Sequence, residues 1–254
     1  MSIASGHVSV HGVRGVVVDI EGTTSATESV HVGLYDFARP RIEGWLADHA
    51  DDAEIRDAIS ATIAEAGLAA DATPADVAAV MHRWMDDDVK ATALKTVQGQ
   101  IWAAGFAEGA LEPHFFADVE PALRRWADGG LGLAVFSSGS VTVQRPWFAN
   151  GLPADISERI EGYFDTVNAG NKRVAVSYDT IAADLTVRWS CGVGELLFLS
   201  DVAEELDAAA AAGWQTVGVR RPGEPNAGAD FGDHRVVAGF DSIDLETPDG
   251  RTVR

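Results

Sequence analysis

The sequence contains a single cysteine, Cys191, among 254 residues, so no disulfide can form within the chain and no cysteine-based metal cluster can be built. A reducing compartment suits that composition, and a cytoplasmic location is expected. No window approaches the ~18 apolar residues that a membrane-spanning helix needs, and no charged leader precedes an apolar run. No membrane partner is therefore expected. Positive charge is scarce as well: Lys and Arg total 19 against 39 Asp and Glu, a formal charge of −20. Such a chain lacks the dense cationic contacts that displace counterions from a phosphate backbone, which excludes a nucleic-acid binder of that kind. An anionic substrate would need a local cation, and a bound metal would supply one. Lysine occurs three times, as Lys90, Lys95 and Lys172, so each one retained is of interest.

The hydrophobic share of 46% and the length allow one sizeable domain, or a domain carrying a smaller second one. Four short apolar runs, at residues 15–20, 131–136, 196–199 and 216–219, read as buried parallel strands. Helical patterns at 119–127, 178–185 and 203–212 fall between them, the alternation of an α/β domain. Residues 26–112 interrupt that alternation and read as wholly helical, an inserted cap domain over the crevice. Within it Thr73 and Pro74 form a helix cap and first turn, followed by Val77, Val80, Met81, Trp84 and Met85 at helical spacing, a core stripe. The predicted domains are 1–25 with 113–254, the core, and 26–112, the cap.

Polar residues sit where the predicted strands end: Asp19 and Glu21 after the first, Ser137 and Ser138 after the second, Asp201 after the third. In open parallel sheets the ligand crevice lies beyond the carboxyl ends of the strands, so these distant positions can converge. A carboxylate pair two residues apart is also compatible with a capped turn, and Asp201 with a helix cap. The companions favour chemistry: the pair is joined by Ser137, by Lys172 in a Gly-Asn-Lys turn, and by Asp201. His31, His82 and His114 have no metal-ligand spacing and read as structural or surface residues.

These four stations resemble, in order and spacing, the four motifs of the haloacid dehalogenase superfamily. Within it, Asp19-Ile-Glu-Gly-Thr-Thr, Leu94-Lys-Thr-Val-Gln-Gly and Phe136-Ser-Ser-Gly-Ser-Val look like the enolase-phosphatases, or acireductone synthases, of methionine salvage. Gly170-Asn-Lys, Ser177-Tyr and Phe198-Leu-Ser-Asp-Val with Glu205 continue the match, which runs from about residue 14 to 223. The resemblance implies a Rossmann-like parallel-sheet core with an inserted all-helical cap. It implies a magnesium-dependent phosphatase with one Mg2+ per subunit, held by Asp19, Asp201 and the main-chain carbonyl of Glu21, with Glu205 in support. Asp19 would be the nucleophile that forms an aspartyl-phosphate, and Glu21 the acid and base. Ser137 and Ser138 would bind the phosphoryl group or substrate, while Lys172 would bridge Asp19 and the phosphoryl oxygens.

The implied substrate is a small phosphorylated metabolite, 2,3-diketo-5-methylthiopentyl 1-phosphate, enolised by Glu21 or a neighbouring group and then dephosphorylated. A monomer is the expected state. The stretch Ser25-Ala-Thr-Glu-Ser-Val departs from the family's usual Pro, Ile and Phe, so a superfamily phosphatase with another small phosphorylated substrate is the alternative. A carbon-halogen hydrolase is disfavoured by Glu21 and Asp201, and an inert binding protein by the presence of all four motif residues.

Overall fold

The computed structural model of the chain describes residues 7–87, 89 and 91–253; Lys90 lies outside them. Nine strands occur in the described residues: β1 (Val8–His11), β2 (Gly15–Val18), β3 (Gly132–Phe136), β4 (Ile160–Phe164), β5 (Leu196–Ser200), β6 (Gln215–Val219), β7 (Arg235–Val237), β8 (Ile243–Glu246) and β9 (Thr252–Val253). Six of them form one sheet in the order β4-β3-β2-β5-β6-β7, with every neighbouring pair parallel. The predicted strands are thus β2, β3, β5 and β6, and β2 stops at Val18 rather than at Ile20. β4 and β7 extend the sheet at its two edges. A second, three-stranded sheet of order β1-β8-β9 was not anticipated from the sequence.

The helices of the sheet unit are α6 (Val119–Asp128), α7 (Val141–Gly151), α8 (Ala154–Ser157), α9 (Ala175–Trp189) and α10 (Ala203–Ala211). α9 extends beyond the predicted 178–185 at both ends. Side chains alternate across a strand, and both sets in the central strands are buried, as expected of a parallel sheet covered on two faces. Val17, Ala134, Phe136, Leu196 and Phe198 join Tyr178, Ile181 and Leu185 of α9 and Leu206 and Ala209 of α10 in one cluster. The alternate residues Val16, Val18, Leu133, Val135, Leu197 and Leu199 are equally enclosed. Each strand is therefore apolar throughout, and its polar groups are displaced to its ends.

The chain divides into two compact units, one comprising the residues up to Val30 together with Pro113–Arg254, the other His31–Glu112. The first division falls inside α1 (Thr27–Ala38), whose opening residue is tied to the sheet unit: the Thr27 amide donates to Glu224 Oε2 at 2.8 Å. The second unit comprises the rest of α1, a short 3-10 turn, and α2 (Ile42–Asp48), α3 (Ala53–Ala66), α4 (Pro74–Asp86) and α5 (Thr92–Ala107). α3 and α2 each pack against α4 and α5. Thr73 caps α4 in a reciprocal box with Asp76, which satisfies two amides that a helix start leaves open. Val77, Val80, Met81 and Met85 are buried on its inner face.

Candidate active site

The first strand-end turn begins where β2 leaves the ladder. The Asp19 amide donates to the Leu199 carbonyl at 3.0 Å, which holds the start of the turn against β5. The Ile20 carbonyl then accepts the amides of Thr23, Thr24 and Ser25 at 3.2, 2.9 and 2.9 Å, closing the loop tightly. Gly22 has φ +70°, and a Cβ there would lie 2.1 Å from Asp201 Oδ2. Only glycine meets both conditions, the left-handed backbone and the contact with the carboxylate. Thr24 Oγ1 donates to the Asp19 carbonyl at 3.0 Å. Thr23 Oγ1 donates to Asp19 Oδ2 at 3.2 Å and accepts the Asp201 amide at 2.9 Å. One hydroxyl therefore links the ends of β2 and β5. Glu21 is half-buried on the same turn.

Lys172 reaches Asp19 from the loop before α9. Gly170 has φ +106°, with space above it taken by Ser177 Oγ. Ser177 Oγ donates to the Asn171 carbonyl at 2.7 Å and Tyr178 Oη to the Lys172 carbonyl at 2.8 Å. The first turn of α9 thereby fixes the lysine backbone. Its Nζ pairs with Asp19 Oδ1 and, at 2.7 Å, with Glu205 Oε2. It also lies 5.7 and 5.8 Å from the ring centres of Phe136 and Phe198, within the range where an aromatic face attracts a cation.

Ser137 and Ser138 follow β3. Ser137 is buried, its amide donating to the Phe164 carbonyl at 3.1 Å and its Oγ accepting from the Gly139 amide at 3.2 Å. Ser138 is exposed. Neither caps α7, whose N-cap position is Ser140. The acceptor at that helix start is Asp165, buried after β4: its Oδ2 accepts the Val141 amide at 2.9 Å and its Oδ1 the amides of Val167 and Asn168. Gln144 Nε2 donates to the carbonyls of Gly139 and Phe164 at 2.7 and 2.8 Å. Ser25, in the segment that departs from the family pattern, is fully buried, and its Oγ accepts the Trp147 indole N–H at 3.1 Å.

Asp201 follows β5 and does not cap α10, contrary to the sequence-based possibility. The N-cap position is Val202, with no side-chain cap, and the Val202 amide donates to Ser200 Oγ at 3.1 Å. Asp201 Oδ2 instead accepts Asn226 Nδ2 at 2.9 Å. Glu205, in the first turn of α10, accepts Ser200 Oγ at 2.8 Å.

Asp19, Asp201, Lys172 and Glu205 are thus gathered at the carboxyl ends of β2 and β5, each no more than 8% exposed. Burial pushes the Asp19 carboxyl up to about 8, Lys172 opposes this, and Glu205 and Asp201 reinforce it. Burial likewise raises Asp201 to about 6, against the hydrogen bond from Asn226. Burial alone would lower Lys172, but the Asp19 and Glu205 carboxylates outweigh it and hold the ammonium charged well above its ordinary range.

Three buried carboxyls crowd one ammonium, and burial resists their ionisation; a divalent cation such as magnesium, which prefers hard oxygens, would favour their charged forms. Among the described residues no three His, Cys, Asp or Glu side chains form a metal cluster. The residues present would fit an ion that takes two carboxylates, Asp19 and Asp201, and needs no third side-chain ligand. Lys95 is exposed on α5 in the helical unit. Asp165 and Asn226 were not identified from sequence as site-shaping residues: each is a single polar residue in a loop or short turn, with no periodicity to mark it.

No family model matches the chain. It is 54% identical over 233 residues to the enolase-phosphatase E1 of Saccharopolyspora erythraea, covering 92% of this chain and 96% of the relative. It is 47% identical to the enolase-phosphatase E1 of Streptomyces avermitilis, covering 93% and 97%. Among solved structures it resembles the UTR4 protein of Saccharomyces cerevisiae, with a TM-score of 0.74, 28% identity and coverage of 91% and 100%. A phosphatase of the haloacid dehalogenase superfamily from Thermococcus onnurineus shares the fold, with a TM-score of 0.56, 13% identity and coverage of 90% and 94%. With that identity to full-length relatives, and with the parallel Rossmann-like sheet of the superfamily beneath its site, the chain belongs to the enolase-phosphatase family.

Proposed function

We propose that this protein is a magnesium-dependent enolase-phosphatase that converts 2,3-diketo-5-methylthiopentyl 1-phosphate to the acireductone and phosphate in methionine salvage. The observation that carries this reading is the buried Asp19–Lys172 pair beside Asp201 at the ends of adjacent strands. A cytoplasmic monomer is the proposed state. No helix of the described residues is long and apolar enough to cross a membrane.

Asp19 Oδ attacks phosphorus in line, forming the aspartyl-phosphate as the bond from phosphorus to the substrate oxygen breaks. Glu21, half-buried on the same turn, gives a proton to the departing oxygen. It then takes one from the water that attacks the phosphorus of the intermediate, and Asp19 and inorganic phosphate are released. Lys172 balances charge on the nucleophile and the phosphoryl oxygens, and Ser137 donates a hydrogen bond to the phosphoryl group, with Ser138 beside it. Asp19, Asp201 and the Glu21 carbonyl would hold magnesium, which when bound neutralises phosphoryl charge. Enolisation of the diketone precedes dephosphorylation, its proton moved by Glu21 or a neighbouring group.

A coupled assay of enol absorbance and phosphate release tests the reading, run with the diketone phosphate and with a panel of small phosphomonoesters. Both signals should appear together with magnesium, disappear with chelator, and fall by at least about a thousandfold in Asp19→Asn. Phosphate release from other esters alone would retain the chemistry and reassign the substrate. No turnover of any ester by folded, magnesium-loaded protein would reject the reading.

A further inference from the structure

Residues 221–226, which follow β6, touch the site at several points. Arg221 is buried; its Nε donates to the Thr23 carbonyl at 3.0 Å, and its Nη1 pairs with both oxygens of Asp118 at 2.7 and 2.8 Å. The guanidinium lies 4.3 Å from the ring centre of Phe116, so aromatic packing and a forked ion pair anchor the start of the segment. Three residues on, Glu224 holds the first amide of α1. Pro225 then opens a 3-10 turn, Pro225–Gly228, which fixes the backbone beneath Asn226.

Asn226 Nδ2 donates to Asp201 Oδ2, the oxygen that also faces Gly22. An ionised carboxylate only accepts hydrogen bonds, so the amide nitrogen, not its oxygen, must face it. With one oxygen pinned between Asn226 and the Gly22 backbone, Asp201 presents the other in a fixed direction. We propose that Asn226 is a positioning residue, which orients Asp201 for a divalent cation from a segment anchored by Arg221. This rests on the reading of Asp201 as a magnesium ligand.

Asn226→Ala removes both the donor and the side-chain volume, whereas Asn226→Leu removes the donor and keeps the bulk. Calorimetric titration of each full-length variant with MgCl2 should show binding weakened by roughly ten- to a hundredfold. Phosphate release should need correspondingly more magnesium to reach half its maximal rate, since the amide acts through Asp201. Thermal melts establish that each variant is folded. Unchanged magnesium affinity in either folded variant overturns the proposal, and so does recovery in the leucine variant of affinity lost in the alanine variant, because that assigns Asn226 to packing. If the unsubstituted protein binds no magnesium, the metal reading itself fails and the inference falls with it. Normal binding by the unsubstituted protein and by both variants rejects the role of Asn226 alone.

Discussion

At Gly22 a left-handed backbone and contact with Asp201 coincide. Gly22→Ala should therefore cost about 1–3 kcal/mol in urea unfolding, the range for a non-glycine residue in a sparsely populated conformation. Because the new methyl displaces Asp201, phosphate release should fall with it, and an alanine variant of unchanged stability and activity would show that the turn relaxes freely. Asp19, Ser137, Lys172 and Asp201 were visible in the sequence because each ends an apolar run or stands in a short glycine turn. Ser138 was named with Ser137 for the same reason, yet it is exposed while its neighbour is buried. Asp165 and Asn226 are equally consequential for the geometry and gave no local signal, since their partners, Val141 and Asp201, are brought to them by the sheet.

The first turn of α9 carries the lysine loop, and Tyr178 is its principal fastening. Tyr178 is buried among Phe136, Phe198 and Trp214 with ring centres 5.5, 5.2 and 5.7 Å away. Tyr178→Phe should keep this packing and leave the Lys172 carbonyl without its partner, lowering stability by about 1–3 kcal/mol in denaturant melts. The same variant should turn over more slowly, because Lys172 is less well held against Asp19. A stable variant with full activity would assign the loop geometry to Gly170 and Ser177 instead. The legible elements were those with strong local pattern: β2, β3, β5 and β6 as apolar runs, and α4 with its cap. β4 contains Glu161 and Gly162, while β1 and β8 are four residues long with alternating exposure. Such short elements take their strand form from their neighbours.

Over the whole molecule, the formal charge of −20 is compounded at the site by buried carboxylates. An Asp19 carboxyl raised to about 8 binds its proton more tightly in the folded than in the unfolded chain. Its stabilising contribution is complete below the ordinary carboxylate value of about 4 and is lost as pH rises through about 8. Stability in chelator should therefore fall over that window, and a fixed magnesium concentration should add most at the alkaline end, where the carboxyls are ionised, reaching about 2.7 kcal/mol where it is a hundred times the dissociation constant. Asp201→Asn should reduce the magnesium increment, and an increment equal to that of the unsubstituted protein would locate the ion elsewhere. The sheet order adds a constraint in time. β2 pairs with β3 on one side and β5 on the other, so Asp19, though made early, meets Ser137 and Asp201 only after long stretches of translation. A nascent chain stopped before residue 201 holds Asp19 without the Asp201 and Glu205 carboxyls that crowd it in the finished fold.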